Sequence, residues 1–291
     1  MNRREDGFIL VAALWMVAAL AFLASAYASY ALRTAPSASL PEERLRAEAA
    51  IRAAIDLCAF RQLAWPKVAR PDAGAFSAEV GLNRVDVVYR SESARVDLNA
   101  APRDLIAGLF AQLGAAPAVA GYLADRIVAW RGRLKDSDRE REASVYIKAG
   151  LAYRPLGAPF DNAMEISLLP GMSPELAHRA LGFVTIFGTG KIDPFVADPI
   201  VLAAVPGMTA AAANSFASSP SGAKPDASTL ARMAGSAKDY VSADPNNYVR
   251  AEILASVGAR RIRAEIVLKI AESGSSPYEI LYWRDDFDGG G

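Results

Sequence analysis

Cysteine and histidine are nearly absent from this 291-residue sequence, which has one of each, Cys58 and His178. A lone cysteine excludes an internal disulfide, and a lone histidine excludes a metal site built on a histidine pair. A surplus of charge is missing too. The 32 Lys+Arg balance 32 Asp+Glu, whereas a dedicated nucleic-acid binder carries a basic excess. No nucleophile–base pair and no phosphate-binding loop can be read along the chain, which points away from an enzyme. Apolar residues are abundant: 52% of the chain is hydrophobic and 22% charged, with mean hydropathy +0.14. That is the composition of a folded protein with room for one large or two modest domains.

Much of the apolar excess sits at the start. From Phe8 to Leu32 the chain runs 25 residues without a charge, ~37 Å as a helix at ~1.5 Å per residue, enough to cross ~30 Å of hydrocarbon. Tyr27 and Tyr30 suit a membrane interface, and Arg33 ends the run. Phe8, Ala12, Trp15 and Leu32 mark out the anchor. Arg3 and Arg4 before it favour a cytoplasmic N-terminus with the bulk of the chain across the membrane. Three readings are open. The Ala24-Ser25-Ala26 and Ala26-Tyr27-Ala28 triplets match signal-peptide cleavage, but the run exceeds the usual ~7–15 residue apolar region. A plain uncleaved anchor needs nothing further. The Gly7–Phe8 junction, a charged leader meeting the apolar run at a glycine, resembles the type IV prepilin leader. That resemblance implies cleavage by a prepilin peptidase between Gly7 and Phe8, with methylation of Phe8. Where most of that class has a glutamate five residues after the cut, this chain has Ala12. A carboxylate in lipid is kept where a partner charge neutralises it, so its absence suggests a subunit that need not insert beneath another.

The anchor is followed by a Pro/Ser stretch and then a helix opened by Pro41, Glu42 and Glu43. Pro36 and Pro41 are expected to break or kink any continuous helix. Ile51, Ile55 and Cys58 recur on one face, which places the thiol in a core. Residues 75–100 read as strand, with Val85, Val87 and Tyr89 alternating against Arg84, Asp86 and Val88. Three alternating runs near the end form an antiparallel meander; in the middle one Ile262, Ala264, Ile266, Leu268 and Ile270 oppose Arg263, Glu265 and Lys269. Charges on the outer faces read as solvated sheet surface. Between these regions, about residues 101–240, lie echoes of a Pro/Gly turn, a capping residue and an Ala/Leu helix, as in LLPGMSPELA and AVPGMTAAAA. They resemble helix-hairpin-helix turns, with Ser173 and Thr209 in place of the second glycine and little basic charge to hold phosphate. They read as helix connectors. His178, on one of these helices, reads as ordinary packing.

RVDLNAAP, IVAW, an acidic stretch, YRPLGAPF and MEISLLPGM follow one another in the order found in general secretion pathway protein K. The matching residues are Arg95, Leu98, Asn99, Ala100, Trp130, Tyr153, Arg154, Pro155, Pro159, Glu165 and Gly171. The resemblance implies an α+β fold: an N-terminal transmembrane helix packed on an antiparallel sheet, with a large inserted all-α domain that is SAM-like or helix-hairpin-helix-like. The expected divisions are a leader at 1–7, a transmembrane helix at 8–33, pseudopilin helix and first strands at 34–100, the insert at 101–240 and C-terminal strands at 241–291. The implied role is a minor pseudopilin of type II secretion, not an enzyme. It would cap or initiate the pseudopilus with minor pseudopilins I and J, after passing the prepilin peptidase and the inner-membrane secretion platform. The implied location is single-pass in a bacterial inner membrane, with the bulk periplasmic and no nucleic acid bound. A membrane-anchored helix-hairpin-helix protein of DNA uptake is the alternative. Calcium is the ligand that the resemblance implies for the acidic stretch. Read as a turning loop, it converges Asp136, Asp138, Glu140 and Glu142. However, six Lys/Arg between Arg131 and Lys148 oppose a dication, so the expectation is weak binding or loss. Tyr153-Arg154-Pro155 is expected to strap the insert to the sheet.

Overall fold

The computed structural model describes residues 5–132, 135–219, 225–258, 260–271 and 276–286, without the side chains of 5–10, 30–41 and 136. Helix α1 (Glu5–Leu63) is 59 residues long and continues through Pro36 and Pro41, so of the expected break or kink the break does not occur. Each proline removes one N–H donor but fixes φ at a helical value, so the ladder resumes after it. Within α1, Val11–Ser29 is apolar and long enough to cross a membrane, and none of it is buried in the molecule. Further along, Ala47, Ala50, Ile51, Ala54, Ile55, Cys58 and Ala59 are buried, a stripe at three- and four-residue steps. Burial pushes the Cys58 thiol up to about 12, outweighing the nearby Arg61.

That stripe lies on an antiparallel sheet of five strands, β1 (Ala73–Val80), β2 (Asn83–Ser91), β5 (Tyr248–Val257), β6 (Arg260–Ile270) and β7 (Tyr278–Asp285), in the order β1-β2-β5-β6-β7. Its inner face is the alternation expected from sequence: Val85, Val87 and Tyr89; Val249 through Val257 at every second residue; and Ile262, Ala264, Ile266, Leu268 and Ile270. A bulge in β7 lies opposite Val267 and Leu268. β1, most of which falls in the stretch expected as strand, is half-buried at alternate positions, with Phe76, Ala78 and Val80 packed against the core.

β2 and β5 pair directly, Ser91 opposite Val249, so everything between them is an insert whose two ends meet. It holds β3 (Val96–Asp97) parallel to β4 (Val184–Thr185) and the helices α2 (Arg103–Gln112), α3 (Pro117–Arg131), α4 (Asp136–Lys148), α5 (Pro174–Leu181), α6 (Pro199–Ala204), α7 (Ala210–Ala217) and α8 (Ala227–Ala234). A second hydrophobic core fills it, distinct from the one under α1. Val96 and Leu98, expected with the first strands, belong to the insert's core. The sheet register stops at Ser91, where a short 3-10 turn, Glu92–Ala94, leads the chain away.

The two echoed turns have a shared construction. Gly171 and Gly207 adopt φ of +81° and +77°, values that favour glycine. Two residues on, Ser173 accepts from the Leu176 N–H and Thr209 from the Ala212 N–H. Both hydroxyls are N-caps that satisfy helix-end donors.

α1 also sets the long axis. Toward the apolar span Glu43 pairs with Arg260, just after the β5–β6 turn, at 3.4 Å. Just past its far end Arg70 donates to Asn247 at 3.3 Å, where the insert rejoins the sheet. Along that axis the apolar span comes first, then the β-hairpin turns, the sheet and the insert.

Candidate functional site

With no catalytic constellation expected, the candidate features are the anchor, the segment expected to bind calcium, and the joint between insert and sheet. Gly7 and Phe8 lie in the first turns of α1, with their side chains outside the described residues. The Leu32 side chain is outside them as well, and so is the leader at 1–4. Ala12 is half-buried, while Trp15 is 73% exposed.

The stretch expected as a turning loop is α4. Its charges run acid first and base last, which complements the helix dipole, with Asp136 and Asp138 near the start and Lys148 at the end. Residues two apart on a helix point ~200° apart, so alternation separates what it was expected to converge. Asp138 pairs with Arg141 at 3.1 Å, and Glu140 is exposed. Glu142 is buried and held by Arg126 at 3.0 Å. The Asp136 side chain lies outside the described residues. Among those described, no three His, Cys, Asp or Glu side chains are grouped to hold an ion. Adding calcium is therefore expected to leave the melting temperature unchanged within about 1 °C. A site filled at tenfold its Kd would add roughly 1.4 kcal/mol, several degrees, and a shift of that size would restore the calcium expectation.

The motif residues prove to be the insert's framework. Asn99 forms a two-way clamp on Phe160, donating to its carbonyl at 3.0 Å and accepting from its N–H at 2.7 Å. Arg131, expected to repel a cation, donates to the Leu98 and Ala101 carbonyls at 2.7 and 2.6 Å. Trp130 stacks on Phe160 with centroids 5.7 Å apart and lies 6.3 Å from Tyr146. The Tyr153 hydroxyl donates to Leu168 and its ring meets Tyr146 edge-on. Tyr153 thus ties the insert to itself, not to the sheet, and Arg154 is exposed. Glu165 completes a capping box with Asn162. His178 is exposed at the end of α5, so the packing expectation fails there.

What joins insert to sheet is a charged network that the sequence did not reveal. Glu92, fully buried at the start of the insert, receives Arg250 of β5 through two nitrogens at 2.7 and 3.0 Å, and the Thr185 hydroxyl as well. Arg250 also donates to Glu265 of β6 at 2.6 Å, and Arg284 of β7 closes the row at 2.6 Å. Arg95 approaches Glu92 at 3.8 Å and donates to the Gly182 carbonyl at 2.6 Å. These outer-face charges were expected to be solvated; the insert covers Arg250 and Glu265 to 13% and 16% side-chain exposure. Burial works against the Arg250 charge, but its bonds to Glu92 and Glu265 outweigh it and hold the proton more tightly. Burial likewise raises the Glu265 carboxyl, and Arg250 and Arg284 reverse that, leaving it below the usual glutamate value. A carboxyl depressed in the folded state stabilises the fold above its unfolded value near 4.3, and that stability fades as pH falls through the folded one. Urea titrations should therefore show stability flat near neutrality and declining below about pH 4.5. Glu265→Gln should flatten part of that decline.

Comparison with known proteins adds two findings. Residues 82–189 match the family model for protein K of the type II secretion system. Among solved structures, the GspK–GspI–GspJ complex of the enterotoxigenic Escherichia coli type 2 secretion system matches with TM-score 0.59 at 15% identity. The match covers 87% of this chain and 99% of that one. At that identity the likeness is one of fold. No curated protein sequence matches the chain.

Proposed function

Through residues 82–189 this chain belongs to the protein K family of the type II secretion system, and we propose that it is a minor pseudopilin acting at the pseudopilus tip. The membrane-anchored, pseudopilin character follows from the family match together with the apolar span of α1. Tip capping rests on one observation: the insert occupies the end of the sheet farthest from the span. A unit of that bulk leaves no room for another subunit above it, while the exposed span remains available for lateral helix packing in lipid or in a filament core. Ala12, in place of a glutamate, agrees with a first subunit that inserts beneath none.

The protein works by binding and assembly rather than catalysis. Its partners are minor pseudopilins of the I and J type, as in the complex that it resembles in fold. The prepilin peptidase cuts at Gly7–Phe8, and the inner-membrane platform drives assembly, with the sheet and insert in the periplasm. Co-expression with cognate I- and J-type subunits tests this reading: a stable ternary complex is expected, and failure to form one defeats it. Mass spectrometry of the mature N-terminus should find N-methyl-Phe8. Cleavage near Ala26 or Ala28 would make the span a signal peptide and remove the pseudopilin mechanism.

A further inference from the structure

The two edges of the sheet are built differently. Ser91 donates to the Asp72 carbonyl at 2.6 Å, so in this register Gly74, Phe76, Ala78 and Val80 bond to β2. Ala73, Ala75, Ser77 and Glu79 are the alternate set. Their N–H and C=O groups point away from the sheet and meet no backbone partner among the described residues, and each residue is exposed. β1 has no proline, lysine or bulge, and Glu79 is its one charge. At the other edge β7 has its bulge and the charges of Glu279, Arg284 and Asp285. Charge, proline and bulges are what guard a sheet edge, so β7 is guarded and β1 is open. Beside the open edge α1 is incompletely covered. Arg61 reaches over the Phe76 ring at 4.3 Å, and Ala53, Leu57 and Phe60 recur toward that flank at steps of four and three. Phe60 is 70% exposed. Phe76, Ala78 and Val80 are only half-buried, whereas Val85 and Val87, one strand further in, are buried. The sheet is one strand too narrow for its helix.

We propose that β1 accepts an edge strand of a neighbouring subunit anchored in the same membrane, which extends the sheet and covers the open flank of α1. The inference rests on the tip-assembly reading and names the contact through which one partner joins. The outward N–H and C=O groups require an extended backbone as the occupant. The half-covered Phe76, Ala78 and Val80 require that one face of the incoming strand be apolar. A second copy of this chain is excluded by direction. β1 runs from the far end of α1, where Gln62 bonds the Pro71 carbonyl, toward the level at which Arg260 meets Glu43. Antiparallel pairing of two β1 strands would therefore send the two spans in opposite directions, away from a shared membrane. The β7 edge of a second copy is closed by its bulge and charges.

The test compares full chains co-expressed in membranes with cognate I- and J-type subunits. Ala75→Pro removes an outward N–H and no bond to β2. It should melt within about 3 °C of the unaltered chain, yet recover about tenfold less ternary complex. Ala75→Cys, with Cys58 buried, should form disulfides with alternate residues of one partner strand, the two-residue period of a sheet face. Full recovery of the complex with Ala75→Pro overturns the inference and leaves the pseudopilin reading standing. So do crosslinks to a second copy of this chain, or to partner residues without that period. If the unaltered chain forms no complex, both readings fall.

Discussion

Glu92→Ala is expected to destabilise the protein by about 3–5 kcal/mol, the cost of leaving a buried arginine without its carboxylate. Arg250 loses a two-point partner and Thr185 its acceptor, in a place that water reaches poorly. For a folded body of this size the melting temperature should fall by roughly ten degrees. The loss reflects an orphaned charge more than the worth of the pair, so Glu92→Leu combined with Arg250→Met should recover most of it. Urea unfolding of the two single variants and the double variant gives the coupling directly. If the double variant is as unstable as the sum of the singles, the network is not the joint described above.

Trp130→Ala should cost a similar amount, about 3–5 kcal/mol, by opening a cavity in the insert's core. Trp130 is 2% exposed, and its ring is the layer between Phe160 and Tyr146. Its indole nitrogen has no hydrogen-bond partner among the described residues, so Trp130→Phe, which keeps an aromatic layer, should lose less than half as much. The Phe160 emplacement would also loosen, and hydrogen exchange at the Phe160 N–H, held by Asn99, reports it. Equal loss from the phenylalanine and alanine variants would mean that the indole nitrogen, and not packing, is what matters.

These residues differ in how far the sequence exposed them. Where one face of an element meets one core, alternation or helical spacing was enough: β6 carries its inward Ile262, Ala264, Ile266, Leu268 and Ile270 plainly, and so does the Ile51, Ile55 and Cys58 stripe of α1. Trp130 and Asn99 stood out only through the order of several motifs, because single polar or aromatic residues carry no period. Glu92 was invisible. It sits in a 3-10 turn between two cores, and its partners Arg250 and Glu265 lie on a face that alternation assigns to solvent. Only the insert, folding over that face, makes it an interior. α4 was misread for a different reason. Its dense charge suggested a loop, yet acid at the N-terminal end and base at the C-terminal end is what a helix dipole favours.

The meeting of Ser91 and Val249 across one antiparallel pair makes the excursion between them separable from the sheet. A chain that leaves one strand and re-enters directly opposite needs only a short turn to be complete without the excursion. The excursion has its own core, so its size and shape can vary without disturbing a single strand pairing. What ties it down is concentrated at one junction, where Glu92, Thr185 and Arg250 lock it to the sheet.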